Sequence, residues 1–520
     1  MSTAPSLRMP ELSIERPLHV EDVESAKGPL QVLMHGDVLD PVRRCHEFVI
    51  SQSTGETMIY GQTTGYGALV NYRGRADDTD RAEGLIDFLT VGQGDPLPAE
   101  VARGMLLVRL ATLSRARSGV SAKVLQALAA VLATPLVPVV PRYGSVGASG
   151  DLAPLAHATR LLTGHGEAFV HGTRLPAGEA LKGMGITPLT LTGRDALALV
   201  NGTSLSCAAA ALAVAQAKRS LLVALHLTAA LAEALGASPA FADDDLAAAS
   251  GHAGVRAAAA ELRDLLAGGV TVPDRPLQEV YSIRCAPQLV GAAWSALEWA
   301  GQTVEAELNG VSDNPLFFPE QSKVAHGGNF FSQSIAFAAD LVANVLTQLA
   351  NLAERQLDLL VDPHRNGGLP PLLAADPGRQ HGLTGVQIAA TSVVAAMRRE
   401  CLPAGMQSLP TNLHNQDVVP FGNQAALSAL EQAERLRWMH GMLAVALRQA
   451  FHLLDRTPQA SGASSLVAAL APSIAPLTED RPLDEDVRTA ADAMDSLVAD
   501  RAAGLVIPRL KTAPSHREEQ

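Results

Sequence analysis

The chain of 520 residues carries 40 Lys and Arg against 53 Asp and Glu, which gives a formal net charge of −13. An acidic chain of this kind is not expected to bind nucleic acid, because such binding usually shows as a basic face or stripe. Hydrophobic residues make up 47% of the chain and aromatic residues only 4%, which excludes wholesale disorder and predicts a core of small aliphatic side chains between closely packed helices.

Several features predict a soluble cytoplasmic protein. The first residues contain no apolar segment of the kind found in secretory signals. The four cysteines lie far apart without a CxxC pair, and a chain of this size needs no disulfides to fold, so we expect reduced thiols. The most apolar stretch, from Cys207 to Leu225, is interrupted by Lys218 and Arg219, so we interpret it as a buried helix and not as a membrane span.

In chain order, a polar, proline-containing segment is followed by a region of mixed pattern with Gly-rich turns. A helix is predicted to begin at Pro98, and the proline-punctuated stretch over residues 134–150 cannot be helical. The prediction comprises four segments: a flexible N-terminal arm (1–30), an N-terminal domain (31–215), a central and C-terminal helical bundle (216–510) and a polar tail (511–520).

Long helices are predicted to dominate the chain beyond Asp195. The clearest runs from Phe331 to Asp362 before Pro363, where apolar residues spaced by three, four and three form a heptad-like seam: Val342, Val345, Leu349 and Leu352. Similar patterns predict four further helices: Ala196–Leu235, Gln288–Leu308, Gly385–Arg399 and Ala426–Leu454. Helices this long favour an oligomeric bundle, but one large monomeric bundle would show the same periodicity.

A Gly-rich loop from Gly144 to Gly150 precedes a predicted helix that begins near Leu152. A dinucleotide-binding fingerprint needs GxGxxG directly after a strand, whereas this spacing is GxxGxxG and three prolines interrupt the preceding strand. A nucleophile elbow needs GxSxG, and the residues around Ser149 do not match it. The residues of the loop, taken alone, favour a turn capped by Ser or Asp.

The longer string YGSVGASGDLAPLAH, from Tyr143 to His157, resembles the signature of the superfamily of aromatic amino acid and histidine ammonia-lyases. In that superfamily an Ala-Ser-Gly triplet, here Ala148, Ser149 and Gly150, cyclises into a methylidene-imidazolone (MIO) prosthetic group. The amide nitrogen of the glycine attacks the alanine carbonyl, and the serine loses water, so small flanking residues suit the tight backbone. The resemblance implies an electrophile made by the chain itself, with no external cofactor. No HExxH, CxxC or carboxylate cluster indicates an essential metal.

Further blocks in the family's order extend this resemblance from about Tyr60 to about Gly422. They are YGQTTGYG (60–67), similar to the family's YGxNTGFG; LALVNGT (197–203); QEVYSIRCAPQ (278–288); SDNP (312–315); GGNF (327–330); and NQD (415–417). The resemblance implies a mainly α, long-helix bundle of the fumarase/aspartase-like type, with a smaller mixed N-terminal region that carries the MIO loop. It also implies a homotetramer, because the family assembles each active site from several subunits.

The same resemblance implies roles for individual residues in the loss of ammonia from an α-amino acid. Tyr60 is expected to be the catalytic base for the β-proton, and Arg284 to bind the substrate carboxylate, for which a guanidinium is well shaped. Hydrogen bonds to the prosthetic group, carboxylate or amine are expected from a set of four side chains: Asn201, Gln278, Tyr281 and Gln416. Phe330 is expected to pack near the imidazolone. Without the flanking motifs, a buried tyrosine, a helix salt bridge and a core aromatic would be the ordinary interpretations of Tyr60, Arg284 and Phe330.

The preferred amino acid is predicted from the pair Phe88–Leu89, which stands where family members carry their side-chain selectivity residues. Phenylalanine lyases have Phe-Leu there, and an apolar wall leaves a phenol or imidazole unpaired at a cost of about 1–3 kcal/mol. Asn412 favours tyrosine instead, because tyrosine-acting members carry Asn at this position. From Phe88 and Leu89 we predict conversion of L-phenylalanine to trans-cinnamate. The alternatives are a tyrosine ammonia-lyase, an aromatic 2,3-aminomutase, a histidine ammonia-lyase, a pyridoxal-phosphate lyase and a non-catalytic helical scaffold.

Overall fold

The computed structural model describes residues 9–53, 58–75, 77–273 and 275–506, and it confirms the prediction of a mainly α-helical protein. In these residues the helices are α1 (Gly36–Ser53), α2 (Asp78–Leu89), α3 (Ala99–Ser114), α4 (Ala122–Leu132), α5 (Leu152–Leu162), α6 (Ala177–Gly183), α7 (Gly193–Val200), α8 (Ser204–Leu235), α9 (Asp244–Ala249), α10 (Ala253–Leu266), α11 (Tyr281–Arg284), α12 (Ala286–Asn309), α13 (Gln333–Val361), α14 (Thr384–Glu400), α15 (Gly422–Leu453), α16 (Ser461–Leu470) and α17 (Asp484–Ala503).

The strands are short and form small sheets. They are β1 (Glu11–Ser13), β2 (Gln31–Leu33), β3 (Gln93–Pro96), β4 (Leu136–Pro138), β5 (Pro141–Tyr143), β6 (Glu167–Val170), β7 (Thr173–Pro176), β8 (Leu316–Phe318) and β9 (Lys323–Ala325). β1 and β2 are parallel, whereas β3–β5, β4–β6–β7 and β8–β9 are antiparallel. The prolines expected to prevent a strand before the Gly-rich loop instead stand at strand ends, Pro138 last in β4 and Pro141 first in β5, where a missing N–H is tolerated.

Residues 9–30 pack into the protein, so the prediction of a flexible arm is wrong over this range. β1 pairs with β2, and a 3-10 helix over Val20–Lys27 lies between them in the chain. Apolar side chains of the segment are buried: Leu12, Ile14, Leu18, Val20 and Val23. Residues 1–8 of the predicted arm and the predicted tail over 511–520 lie outside the described residues.

Arg103, on α3, holds this N-terminal segment from inside the core. Its side chain is buried and donates hydrogen bonds of 2.6–2.8 Å to five backbone carbonyls. The acceptors are the carbonyls of Ala26, Gly28, Leu132, Thr134 and Leu136. One guanidinium therefore ties the N-terminal segment to the end of α4 and the start of β4.

Replacing Arg103 with methionine is expected to lower the free energy of unfolding by about 3 kcal/mol or more, because five carbonyls lose their donor. Urea unfolding followed by circular dichroism measures the change. Arg174→Met is the matched control, because that guanidinium pairs with Glu167 on the surface, and its midpoint is expected to stay at the wild-type value. Equal midpoints for the two variants would contradict the role given to Arg103.

Four of the five predicted long helices are confirmed as α12, α13, α14 and α15, with ends shifted by a few residues. The apolar seam predicted within Phe331–Asp362 is buried along α13. The fifth, Ala196–Leu235, is wrong as one helix, because it divides into α7 and α8. At the break Asn201 adopts an extended backbone, and its side-chain amide donates to the Asn314 carbonyl over 2.9 Å.

Two helices, α8 and α13, are long and apolar enough to cross a membrane by length and composition alone. The most apolar part of each is mostly buried inside the protein, 83% in α8 and 67% in α13. A mostly buried apolar helix is typical of the core of a globular protein. The stretch Cys207–Leu225 lies within α8, and its interpretation as a buried helix is confirmed.

Contacts divide the chain into two units. Unit 1 contains residues 1–213, 301–340 and 403–430, and unit 2 contains residues 214–300, 341–402 and 431–520. The first division falls close to the predicted boundary at residue 215. The prediction of one continuous C-terminal bundle is wrong, because the segments around residues 301–340 and 403–430 return to unit 1. These returning segments carry several of the predicted site residues.

Candidate active site

The Gly-rich loop between β5 and α5 folds back on itself at the triplet Ala148–Gly150. Gly147 and Gly150 have positive φ angles of +72° and +68°, and backbone bridges join Gly150 to Gly147, Ala148 and Gly202. A side chain at Gly150 would collide with the backbone of Gly202, so only glycine fits this position. The turn brings the two ends of the triplet close together, which is the backbone arrangement that cyclisation requires.

Asp151, directly after the triplet, fixes the loop in the core. Its fully buried carboxylate accepts hydrogen bonds from the Ser206 amide and hydroxyl, each at 2.9 Å, and from the Ser145 hydroxyl at 3.2 Å. Burial raises the pKa of Asp151 to about 6, and these hydrogen bonds oppose the rise. The interpretation of a side-chain cap on the helix at this residue is wrong, because the carboxylate turns toward α8 instead of the first turn of α5.

Asn201 and Gly202 lie at the break between α7 and α8, beside the triplet. The Gly202 carbonyl accepts from the Asp151 amide over 2.7 Å, while the Asn201 side chain is anchored on the Asn314 carbonyl. Neither residue belongs to a helix, because α7 ends at Val200 and α8 begins at Ser204. The break in the helix therefore lets the chain approach the triplet closely, which a continuous helix would prevent.

A buried charge cluster of Arg109, Arg194 and Asp313 lies beneath this break. Arg194 donates to Asp313, Arg109 lies 4.0 Å from the same carboxylate, and Arg109 also donates to the Ser312 carbonyl over 3.1 Å. Burial lowers the pKa of Arg109 to about 10 and raises the pKa of Asp313. Arg109 was not among the predicted functional residues, although an arginine inside the strongly apolar α3 indicates a buried charge.

Tyr60 lies in the loop before α2, with its phenol held by the backbone of the same loop. The Gly67 amide donates to the Tyr60 Oη over 2.8 Å. Burial raises the pKa of Tyr60, and this hydrogen bond opposes the rise. The Tyr66 ring packs edge-on against Tyr60, with ring centroids 6.1 Å apart.

A cavity of about 610 Å³ opens beside the triplet and the phenol. Predicted site residues line it: Tyr60, Phe88, Leu89, Ser149, Asn201, Phe330, Asn412 and Gln416. The Gln416 amide donates to the Ser149 hydroxyl over 2.7 Å, which ties the predicted NQD block to the triplet. Ala148 and Gly150 form the adjoining backbone. One cavity therefore holds the predicted base, the predicted selectivity pair and the serine of the triplet.

Besides Ala148 and Gly150, which adjoin the cavity, three predicted site residues do not line it. Gln278, Tyr281 and Arg284 belong to unit 2, at and just before the short helix α11. Tyr281 exposes 71% of its surface, and the Arg284 guanidinium stacks over its ring at 4.7 Å from the centroid. The residues that line the cavity belong to unit 1, so the expectation that these three join the other site residues stays a prediction.

Other lining residues were missed at the sequence level. Tyr66 forms part of the wall next to Phe88, and three arginines reach the cavity from the loop and from α2: Arg73, Arg75 and Arg81. Leu85, Leu152 and Leu197 add an apolar surface. The signal for Tyr66 was present, because it lies inside the motif that pointed to Tyr60.

Comparison with known proteins identifies the family. A sequence model of the aromatic amino acid lyase family matches residues 18–472. The chain belongs to the aromatic amino acid lyase family. A protein of Symbiobacterium thermophilum named histidine ammonia-lyase is 38% identical over 477 residues, which cover 91% of this chain and 94% of that protein.

Solved structures of the same family share the fold. Tyrosine aminomutase from Streptomyces globisporus matches with a TM-score of 0.89 and 31% identity, over 96% of this chain and all of that chain. Phenylalanine aminomutase from Pantoea agglomerans matches with a TM-score of 0.88 and 28% identity, over 94% of this chain and all of that chain. The fold is the ammonia-lyase fold of the fumarase/aspartase-like type, as the sequence resemblance implied.

Members of the aromatic amino acid lyase family use an MIO group formed from their own chain, and the triplet of this protein fits that group. The backbone doubles back at Ala148–Gly150, glycine is required at Gly150, and Ser149 faces the cavity. Among the residues that the structure describes, no group of three or more His, Cys, Asp or Glu side chains could hold a metal ion.

Proposed function

We propose that this member of the family removes ammonia from L-phenylalanine and forms trans-cinnamate. One observation carries the proposal: Ser149 of the doubled-back triplet and the phenol of Tyr60 line the same cavity. This arrangement can present an electrophile to the amine of a bound amino acid and a base to its β-carbon. Its volume of about 610 Å³ is in the range of small-molecule sites.

The residues around the cavity have separate roles in the proposed reaction. The MIO group supplies an electrophile that makes the substrate amine a better leaving group. Tyr60 removes the β-proton through its Oη, which the Gly67 amide holds in place. Asn201 and Gln416 flank the triplet with amide groups, and Gln416 already contacts Ser149. Phe330 adds a ring to the wall of the same cavity.

The apolar part of the wall supports phenylalanine as substrate. Phe88 and Leu89 occupy the end of α2, and the neighbouring leucines are Leu85, Leu152 and Leu197. An unsubstituted ring can be buried there without leaving a polar group unpaired. Histidine is the second candidate, because the relative from Symbiobacterium thermophilum carries the name histidine ammonia-lyase. Tyrosine and a 2,3-aminomutase reaction follow as alternatives, since two matching structures are aminomutases.

The deciding experiment supplies the protein separately with phenylalanine, tyrosine and histidine. Absorbance of the unsaturated acid reports the lyase reaction, and chromatography reports β-amino acid. We expect preferred turnover of phenylalanine, and the variant Phe88→His is expected to shift the preference toward tyrosine because it adds a hydrogen-bonding ring to the wall. Leu246→His, at an exposed position on α9, is the control. Preferred turnover of histidine or tyrosine by the wild type would overturn the substrate, and dominant β-phenylalanine would identify a mutase.

The rate is expected to rise with pH, because Tyr60 acts as a phenolate and burial raises its pKa above the ordinary value. Below that pKa the phenolate fraction grows about tenfold per pH unit, so kcat/KM is expected to increase steeply from pH 7 to 9. Initial rates with phenylalanine across this range measure the slope. A flat profile, or a maximum below pH 7, would contradict a tyrosine base.

We also propose a cytoplasmic homotetramer, with no nucleic-acid or membrane partner, in which a second copy contributes Gln278, Tyr281 and Arg284 to the cavity. The exposure of Leu277 and Tyr281 supports this, because it leaves apolar surface to cover. Arg284 would then bind the substrate carboxylate. Mixing inactive Ser149→Ala with inactive Arg284→Gln subunits tests it, because shared sites restore part of the activity and separate sites restore none.

A further inference from the structure

Tyr66 occupies the wall of the cavity between the proposed base and the proposed selectivity residue. Its ring centroid lies 6.1 Å from that of Tyr60 and 6.3 Å from that of Phe88. The family loop that this segment resembles, YGxNTGFG, has phenylalanine where this chain has Tyr66, so the Tyr66 hydroxyl has no counterpart in that motif. It places a polar atom beside the apolar side chains of Phe88 and Leu89.

The Tyr66 hydroxyl is weakly engaged within the chain. It donates to the Gly61 carbonyl over 3.3 Å, which is long for an O–H donor, because such bonds usually measure about 2.7–2.8 Å. Burial raises the pKa of Tyr66 to about 12, so the group stays a neutral hydroxyl at physiological pH. A neutral hydroxyl both donates and accepts, and exchanging a long hydrogen bond for a shorter one to a ligand costs little.

Two other polar side chains on the same wall, Thr64 and Arg81, are already held by partners. The Thr64 hydroxyl accepts from the Gly61 amide over 3.2 Å and donates to the Gly65 carbonyl over 3.0 Å. Arg81 donates to the Asp78 carboxylate over 2.9 Å and to the Arg75 carbonyl. Of these three side chains, Tyr66 makes the longest hydrogen bond, so a ligand can replace its partner most easily.

We infer that Tyr66 is a specificity-determining residue whose hydroxyl pairs with a polar ring, so that the site also accepts amino acids bearing a phenol or an imidazole. The inference rests on the proposed function, since it places the substrate ring beside Phe88. It reverses the expectation drawn from Phe88 alone, which predicts that such rings remain unpaired. The Phe88 ring then supports the face of the substrate ring while Tyr66 pairs with its polar atom.

The test compares wild type with Tyr66→Phe, which keeps the ring that packs against Tyr60 and removes only the hydroxyl. We expect kcat/KM for tyrosine and histidine to fall by about tenfold relative to phenylalanine, the effect of losing one hydrogen bond in a closed site. Tyr72→Phe is the matched control, because it removes a hydroxyl from an exposed ring in the same loop and is expected to leave all three values unchanged.

If Tyr66 had only a structural role, Tyr66→Phe would lower kcat/KM for all three amino acids together, and that result would overturn the inference. Unchanged ratios between the three kcat/KM values would also overturn it, as would a wild type that turns over phenylalanine alone. Binding separates this inference from the proposed reaction. Calorimetry with Ser149→Ala, with and without Tyr66→Phe, is expected to show the same selective loss for tyrosine and histidine. If the wild type shows no turnover while Tyr66→Phe selectively weakens binding, the proposed function is rejected and the role of Tyr66 is kept; equal binding in both variants would reject that role.

Discussion

Ser149→Ala is expected to lower the rate of ammonia release by at least about a thousandfold, the order of loss seen when the central group of a catalytic unit is removed. The reason is chemical, because the electrophilic methylidene forms when the serine loses its hydroxyl as water, and alanine has no hydroxyl to lose. The fold is expected to persist. The described hydrogen bond of the Ser149 hydroxyl is the one from Gln416, and the backbone turn depends on Gly147 and Gly150.

Intact mass and activity measured on the same samples test this prediction. The wild type is expected to weigh two waters less than its sequence, and Ser149→Ala to match its own sequence. Ser114→Ala is the control, since that hydroxyl bonds within α3 to the Ala111 carbonyl and does not line the cavity. Circular dichroism is expected to give equal helix content for all three. Full activity in Ser149→Ala, or an active wild type of unmodified mass, would show that the triplet is an ordinary turn.

Most of the fold could be predicted from patterns within single helices. The seam of α13 was predictable because each apolar position repeats a turn of one helix, and burial of that face needs no knowledge of the partner. The segment before α1 was not predictable in this way. Its burial depends on Arg103, more than seventy residues away, whose donors reach the Ala26 and Gly28 carbonyls. A local reading of polar residues and prolines contains no information about such a contact.

In the candidate site, too, residues inside sequence motifs were predictable, whereas residues placed by distant contacts were not. Tyr60, Ser149 and Gln416 were predictable because each lies inside a motif of the family, and the cavity brings them together. Arg109 lies outside those motifs, and its burial follows from its proximity to Asp313 and Ser312 across about two hundred residues of sequence. The break at Asn201 also depends on a distant partner, the Asn314 carbonyl. Helix periodicity alone therefore predicted one continuous helix across the break.

Tyr60→Phe is expected to lower kcat by about a thousandfold, within the range for loss of a general base, with a much smaller change in KM. The ring and its contact with Tyr66 remain, so the wall of the cavity keeps its shape. What disappears is the Oη that accepts from the Gly67 amide. That amide loses an acceptor, at a cost of about 1–3 kcal/mol if no water replaces it, so thermal unfolding must accompany the kinetics.

The pH profile separates loss of a base from loss of shape. If Tyr60 removes the β-proton as a phenolate, the rise of kcat/KM between pH 7 and 9 belongs to this residue, and the residual activity of Tyr60→Phe is expected to lose that slope. Tyr143→Phe, on an exposed ring at the end of β5, is expected to keep both rate and slope. A Tyr60→Phe enzyme with a reduced rate but an unchanged slope would assign the titrating base to another residue, and one with the wild-type rate would remove Tyr60 from the chemistry.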